Sequence, residues 1–579
     1  MNNRSGLFTF LLVILLLGMI SLQILTMIQS DRLYERLNHL LDSVSGGQAV
    51  ISKPASENSN TGENKYPGDE GDWLVQNISG EPRTLNSISV DYSIESRKVC
   101  LLNIFEPLFY YDLDFDGVKL KPVLAESMEI SEDGLEMTIK LKKDIWFSDG
   151  VPVTADDVIF TYETIMNPKI DSADLRNYFA NVDKIVKIDD KTVKFTFKEL
   201  YWQTVETAGV FEILPKHIYQ FTDPNEFNKR ISNPVGSGPY VFEKWDVAQQ
   251  IVLKRNGNYW GKKPNIDKLV FKVISNSTAE LQSLRSQSID LMEPTSEQFA
   301  SMSNDEEFKK DFNILSYWEP SHGYGYIGWN EARPYFSDKR VRQAMTSMID
   351  RESIAKFILK GLSTVISGPF YIHGKQNDPN IKPWPFDLKK AAQLLDEAGW
   401  KDTNDDGIRD KNGIPLRFKL SYPADAKTAE DMIKIIKDDA AKIGVDVNPD
   451  PIEWSIFIER MNSSDFDACM SGWGGTIESD PYQLFHSSQI ANRGSNRVGF
   501  NNKQADALIE EARKTLDAPR RYEMYHKLHK VLHEEQPYTF LFSRPTFLFI
   551  DKRFKNINIH KLGTDPLEWY VPKDKQRYK

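Results

Sequence analysis

Residues 135–142 read Leu-Glu-Met-Thr-Ile-Lys-Leu-Lys, apolar at every odd position and polar at every even one. Strict alternation puts the two sets on opposite faces, so the pattern predicts a half-buried β-strand. Ser148-Asp149-Gly150 follows as a turn, because Gly tolerates positive φ and Asp bonds its own backbone. Thr154 stands where an N-cap belongs, with Asp156 and Asp157 suiting the positive end of a helix dipole. Val158, Tyr162, Ile165 and Met166 recur at helical spacing until Asn167-Pro168 ends the element.

The same two periods run through the rest of the chain. Residues 191–198, KTVKFTFK, and 268–274 predict further strands, and 278–286 a helix. Ser337 is the expected cap of a helix at 338–349, and Asp350 of one at 351–360 that Gly361 ends. Leu388, Ala391, Leu394 and Leu395 share a face in 385–400, which stops at Gly399. A helix at 428–443 is stopped by Gly444 before a strand at 445–447, and two more helices are expected at 503–516 and 519–535. Strands alternating with amphipathic helices predict an α/β architecture.

Residues 7–28 carry no charge, and as a helix they are long enough to cross a hydrocarbon layer of about 30 Å. Arg4 and the free amino terminus place residues 1–6 in the cytoplasm. Thr26-Met27-Ile28-Gln29 offers no A-x-A-like site and no cysteine follows the run, so an uncleaved signal anchor is expected; cleavage near Gln29 is the other reading. Residues 29–72 then form a short helical stub (Leu33, Leu37, Leu40, Leu41, Val44) and a tether rich in Ser, Asn, Gly, Glu and Pro.

Composition narrows the classes. With 40% apolar and 27% charged residues most of the chain is globular, and a net charge of −11 argues against a nucleic-acid partner. Two cysteines, Cys100 and Cys469, allow one bridge or two free thiols; their wide separation favours buried thiols.

Residues 125–158, AESMEISEDGLEMTIKLKKDIWFSDGVPVTADDV, resemble the signature of the family 5 extracytoplasmic solute-binding proteins, the peptide- and nickel-binding receptors of ABC importers. VGSGPY at 235–240, NGNYWGKKPNI at 256–266 and EPLFYYD at 106–112 are similar to further landmarks of that family. Met128 departs from it, where Trp is frequent. The resemblance implies a bilobal periplasmic-binding-protein fold (flytrap, class C type II) with an extra subdomain. On that plan lobe I comprises 73–115, 232–318 and the return segment 541–579. The extra subdomain is 116–231, and lobe II is 319–540. It implies no enzyme and no cofactor. The expected partners are a peptide or other small solute, an ABC permease, and the membrane through the N-terminal helix, with a monomeric ectodomain outside the cytoplasm.

In the resembled peptide receptors a "W…FD…GW" segment lines the cleft, and Trp454 and Trp473 fall on those positions; the alternative is that both are core residues. Gly474, Gly475, Thr476, Asp480 and Arg460 lie in the same stretch, and Tyr326 and Asn330 come from the aromatic run at 317–330. These nine form the expected ligand set. The family's oligopeptide receptors often bind the peptide's α-ammonium through an aspartate three residues after the second Trp. Here that position is Thr476, leaving Glu478 or Asp480 to take the role.

Other patterns carry less. His526, His529 and His533 are expected on a solvated helix face, since the spacing is not H-E-x-x-H. Asp402, Asn404 and Asp406 begin a calcium-loop pattern whose closing Glu is replaced by Gly413, so a polar turn is expected. Gly323, Gly325 and Gly328 spell G-x-G-x-x-G, but no helix opens after them, so a glycine-punctuated strand is expected instead. With no nucleophile–base pair in the pattern, a cell-wall peptide hydrolase ranks below an anchored sensor, and below a receptor for an oligosaccharide or metal chelate.

Overall fold

In the computed structural model, which describes residues 70–578 apart from 116, 230–232 and 491–493, strand Trp73–Ile78 is the centre of a seven-stranded sheet. It runs parallel to Lys268–Val273 on one side and to Leu291–Met292 on the other. Tyr240–Asp246 and Gln250–Arg255 extend one edge, and Thr546–Asp551 and Phe312–Tyr317 the other. Leu74 and Ile78 enter one hydrophobic cluster and Val75 the opposite one, so both faces of the strand are covered. That explains its near-continuous burial.

The alternating residues 135–142 lie in a four-stranded antiparallel sheet ordered Ala125–Ile130, Glu136–Leu141, Thr192–Phe197, Val182–Asp189. Met137, Ile139 and Leu141 are buried in the same cluster as Leu74, so this sheet and the seven-stranded one share a core. Helix Ala155–Met166 packs over it. At its start Asp157 accepts hydrogen bonds from both the N–H and the hydroxyl of Thr154, at 2.8 and 2.9 Å. In the VGSGPY turn, a Cβ on Gly236 would lie 2.0 Å from the Ile104 carbonyl and one on Gly238 2.4 Å from that of Asn103. Both glycines are there for close backbone approach.

The second lobe is built on five strands ordered Asp446–Ile452, Arg417–Pro423, Ala468–Trp473, Tyr324–Trp329, Tyr538–Phe540. Tyr324 and Tyr326 point into one core and Ile327 and Trp329 into another, so the glycine-punctuated stretch is a central strand. Strand Asp446–Ile452 runs past the expected 445–447 despite Pro449 and Pro451, which an edge position permits. Asp338, not Ser337, caps helix Lys339–Ser347. Asp350 does cap Arg351–Ser353, but the chain continues as a π-turn, Ile354–Ile358, instead of one regular helix.

Cys100 and Cys469 are free and buried in different cores. Trp73 stacks on Tyr578 with ring centroids 4.5 Å apart. The expected anchor at 7–28 and the stub and tether up to residue 69 lie outside the described residues. Among the described residues no helix is long and apolar enough to cross a membrane.

Candidate functional site

Two chain crossings join the lobes side by side. One leads from Phe312–Tyr317 into Tyr324–Trp329, and the other from Tyr538–Phe540 back to Thr546–Asp551. Thr546 donates to the Glu319 carboxylate, and Ser543 Oγ donates to the Gly323 carbonyl at 2.9 Å, which bonds the crossings together. Gly323 has φ +58°, and a Cβ there would sit 1.8 Å from the Trp473 carbonyl oxygen. The Gly475 N–H donates to the Ser321 carbonyl at 3.3 Å, and its own Cβ would meet the Pro320 oxygen at 2.2 Å. Gly475 is thus fixed by packing on the crossing rather than by a need for a permissive wall.

Against this junction lies a cavity of about 50 Å³, lined by Trp473, Gly474, Gly475, Thr476 and Asp480 and faced by Tyr324, Phe370 and Tyr371. The indole of Trp473 is half-buried and parallel to Tyr326, 6.2 Å away at 2°. Tyr326 is itself buried and stacked on Tyr538 at 4.1 Å, so it backs the wall from the core. Gly474 and Thr476 are exposed, which leaves bare backbone beside the indole.

Four expected ligand residues do not line this cavity: Tyr326, which backs it from the core, and three that lie elsewhere. Trp454 is exposed at the start of helix Trp454–Asn462 and stacks on Phe457 of the same helix. Arg460, on the same helix, pairs with Asp450 at 3.3 Å. Asn330 is buried and donates to the carbonyls of Ser464 and Phe466, a scaffold role.

Neither candidate for the missing anionic anchor is unpaired. Asp480 is bound by Arg513 at 3.0 Å, by the Tyr201 hydroxyl at 2.8 Å and by the Tyr482 N–H at 3.0 Å. Glu478 is buried and pairs with buried Arg521 at 3.0 Å while accepting from the Tyr522 hydroxyl. Arg521 lies 4.3 Å from the ring centre of Trp202, and the Trp202 N–H donates to the Arg513 carbonyl at 3.0 Å. Tyr201 and Trp202 belong to the first lobe; the arginines and acids belong to the second. These contacts tie the two lobes together across the gap. Sequence reasoning missed Tyr201, Trp202, Arg513 and Arg521. The only local signal was the aromatic pair itself, which carries no sign of a partner some 300 residues on.

The remaining candidates are structural. His529 is fully buried, contrary to the solvated face expected of its helix. Its Nδ1 accepts from the Asp378 N–H at 3.2 Å, so Nε2 carries the proton beside Ser367 Oγ. Burial pushes its pKa down to about 4. His526 and His533 donate to the carbonyls of Lys375 and Lys382. Asp402, Asn404 and Asp406 each accept a backbone N–H of their own loop. Among the described residues no group of three His, Cys, Asp or Glu is placed to hold a metal ion.

Residues 119–496 match the family described as bacterial extracellular solute-binding proteins, family 5 middle. The chain belongs to that family. It is 33% identical over 521 residues to the oligopeptide-binding protein AppA of Bacillus subtilis, covering 87% of this chain and 92% of that one. The dipeptide-binding protein of Escherichia coli K12 is 27% identical over 474 residues, 77% of this chain and 85% of its own. The structure of AppA in complex with a nonapeptide superposes with a TM-score of 0.75 at 31% identity, over 87% of this chain and all 100% of that one. NikZ from Campylobacter jejuni in complex with Ni(L-His) gives 0.73 at 27% identity, over 87% and 100%. This family 5 protein is therefore an extracytoplasmic solute-binding protein with the bilobal α/β fold, and it is not an enzyme.

Proposed function

We propose that this family 5 protein binds peptides in the cleft between its lobes and delivers them to an ABC permease, held at the membrane by residues 7–28. The observation that carries the reading is the Trp473 wall. A half-exposed indole stacked on a buried Tyr326, with exposed backbone at Gly474 and Thr476, offers a flat surface on which varied side chains lie equally well. Ligand contacts to both lobes stabilise only the closed form, so a membrane partner reads occupancy as shape. The lobe limits given above, 73–115, 232–318 and 541–579 against 319–540, with the subdomain 116–231, belong to the same reading.

Native mass spectrometry of the purified full chain tests it. Retained masses of peptides support the proposal; a retained sugar overturns it. A second reading, a receptor for a metal chelate, is favoured by the likeness to NikZ. A nickel isotope pattern in the bound mass would select it. Intact peptide uptake in cells lacking the protein would instead select an anchored sensor.

A further inference from the structure

Two cavities lie along one short segment of the second lobe. Thr476, Ser479 and Asp480 line the cavity of about 50 Å³ at Trp473, and Glu478, between them in sequence, lines a second space of about 700 Å³. Two residues of chain span at most about 7 Å, so a peptide lying along this segment can reach both. The first cavity has room for a small side chain, while the second has the volume of a ligand pocket.

Both lobes wall the larger space, and the wall is largely carbon. Leu120, Met128, Trp202 and Val205 line it from the first lobe, and Pro519 and Tyr522 from the second. Leu120, Met128 and Val205 are half-buried and packed on the first lobe's core, so this side has a firm backing. On strand Ala125–Ile130 Met128 is the only half-buried residue, between a buried Ala125 and exposed neighbours.

The charged groups in the lining are already engaged. Glu478 pairs with Arg521 at 3.0 Å and accepts from the Tyr522 hydroxyl. Lys119 pairs with Asp112 at 3.7 Å, Glu206 accepts from the Tyr111 hydroxyl, and Lys375 likewise has a partner. Glu206 Oε2, Trp202 Nε1 and Arg521 Nε make no hydrogen bond, but all three atoms are enclosed and do not reach the surface of the space.

We propose that this space is a pocket for a bulky, uncharged apolar side chain of the bound peptide, with Met128 setting its fit, while the cavity at Trp473 takes a small residue of the same peptide. The proposal rests on the peptide reading above and names the class of peptide. An apolar group entering the space leaves water and touches both lobes, so it stabilises the closed form. A Lys or Glu side chain would lose its water there and find no free counter-charge. The thioether of Met128 adapts to several shapes, so the pocket selects for apolar bulk and not for one residue.

The test is calorimetry on the full chain with pentaalanine and with pentapeptides in which each position in turn carries Phe, Leu, Lys or Glu. At one position Phe and Leu should bind about tenfold tighter than Ala, and Lys and Glu no tighter than Ala. Met128→Trp should fill the space, erase the gain from Phe and leave pentaalanine within about twofold of the wild type. Met128→Gln, of similar length, gives a second reading and should cut the same gain several-fold; melting temperatures show that each variant folds. Absence of any position that favours apolar bulk, an equal gain from Lys, or a Phe gain that survives in both variants overturns the pocket and leaves the peptide reading standing. If no peptide in the set binds, both fall.

Discussion

Trp202 of the first lobe lies beneath the guanidinium of Arg521 of the second, 4.3 Å from ring centre to guanidinium carbon, while Glu478 holds that arginine from the other side at 3.0 Å. The buried pair is complete within one lobe, so opening the cleft removes the indole and exposes the pair without separating it. A cation–π contact of this kind contributes about 1–2 kcal/mol when desolvated. Trp202→Ala should therefore shift the population toward the open form and weaken solute binding by about tenfold, with little change in melting temperature. Small-angle scattering with and without ligand would read the shift directly; an unchanged radius of gyration and affinity would remove Trp202 from the closing contacts.

Trp473 is supported from behind by Tyr326, and its exposed part faces the cavity. Trp473→Ala should cost the protein at least about tenfold in ligand affinity and only a small part of its stability, because the indole is not fully buried. Calorimetry and thermal melting on the same samples separate the two effects. An affinity that does not move would take the residue out of the site.

Two glycines with positive φ should respond very differently to Ala. At Gly150, φ +89°, the added Cβ meets nothing within 4 Å, so only backbone strain of about 1 kcal/mol is expected. At Gly323, φ +58°, the same atom would fall 1.8 Å from the Trp473 carbonyl oxygen. Gly323→Ala should destabilise by several-fold more, about 3 kcal/mol or above, and should disturb binding as well. Urea denaturation of the two variants beside the wild type checks the ordering.

His529 supplies a pH dependence of known sign. Its folded pKa of about 4 lies below the unfolded value of about 6.5, so the neutral ring is the form that folding favours. The contribution is fully present above about pH 6.5 and is lost as pH falls toward 4, by about 3 kcal/mol. His529→Gln should lower stability at neutral pH and flatten this part of the acid limb. Denaturation midpoints for both proteins at pH 7.5 and pH 4 give the comparison, and parallel losses would exclude His529 as the source.

Much of the scaffold was legible because it is written in short-range periods. Met137, Ile139 and Leu141 are buried as their alternation requires, and Gly399 and Gly444 end their helices with positive φ. Trp473 to Thr476 and Asp480, named together from the resemblance, do line one cavity, and Asp480 is held there by Arg513 and Tyr201. Trp454 looked equivalent to Trp473 because a sequence does not say which end of a strand meets the cleft. Trp473 ends strand Ala468–Trp473 opposite Tyr324, next to the crossing, whereas Trp454 opens a helix beyond the edge strand. The contacts between lobes were illegible for a related reason. Trp202 and Arg521 are brought together by tertiary packing, and nothing local in either segment names the other.

The bonding at the crossings has a mechanical consequence. Gly475 is bonded to Ser321, Gly323 is pressed on Trp473, and Ser543 is tied to Gly323, so both connecting strands are already part of the second lobe when they reach those residues. Rotation is left to the few bonds between Tyr317 and Pro320 and between Arg544 and Thr546, where Pro545 stiffens one of the two axles. The indole of Trp473 then keeps its pose at every angle of opening. On the proposed reading it is a landing platform present before the jaws move, and the solute would meet the same surface on arrival that it leaves on release.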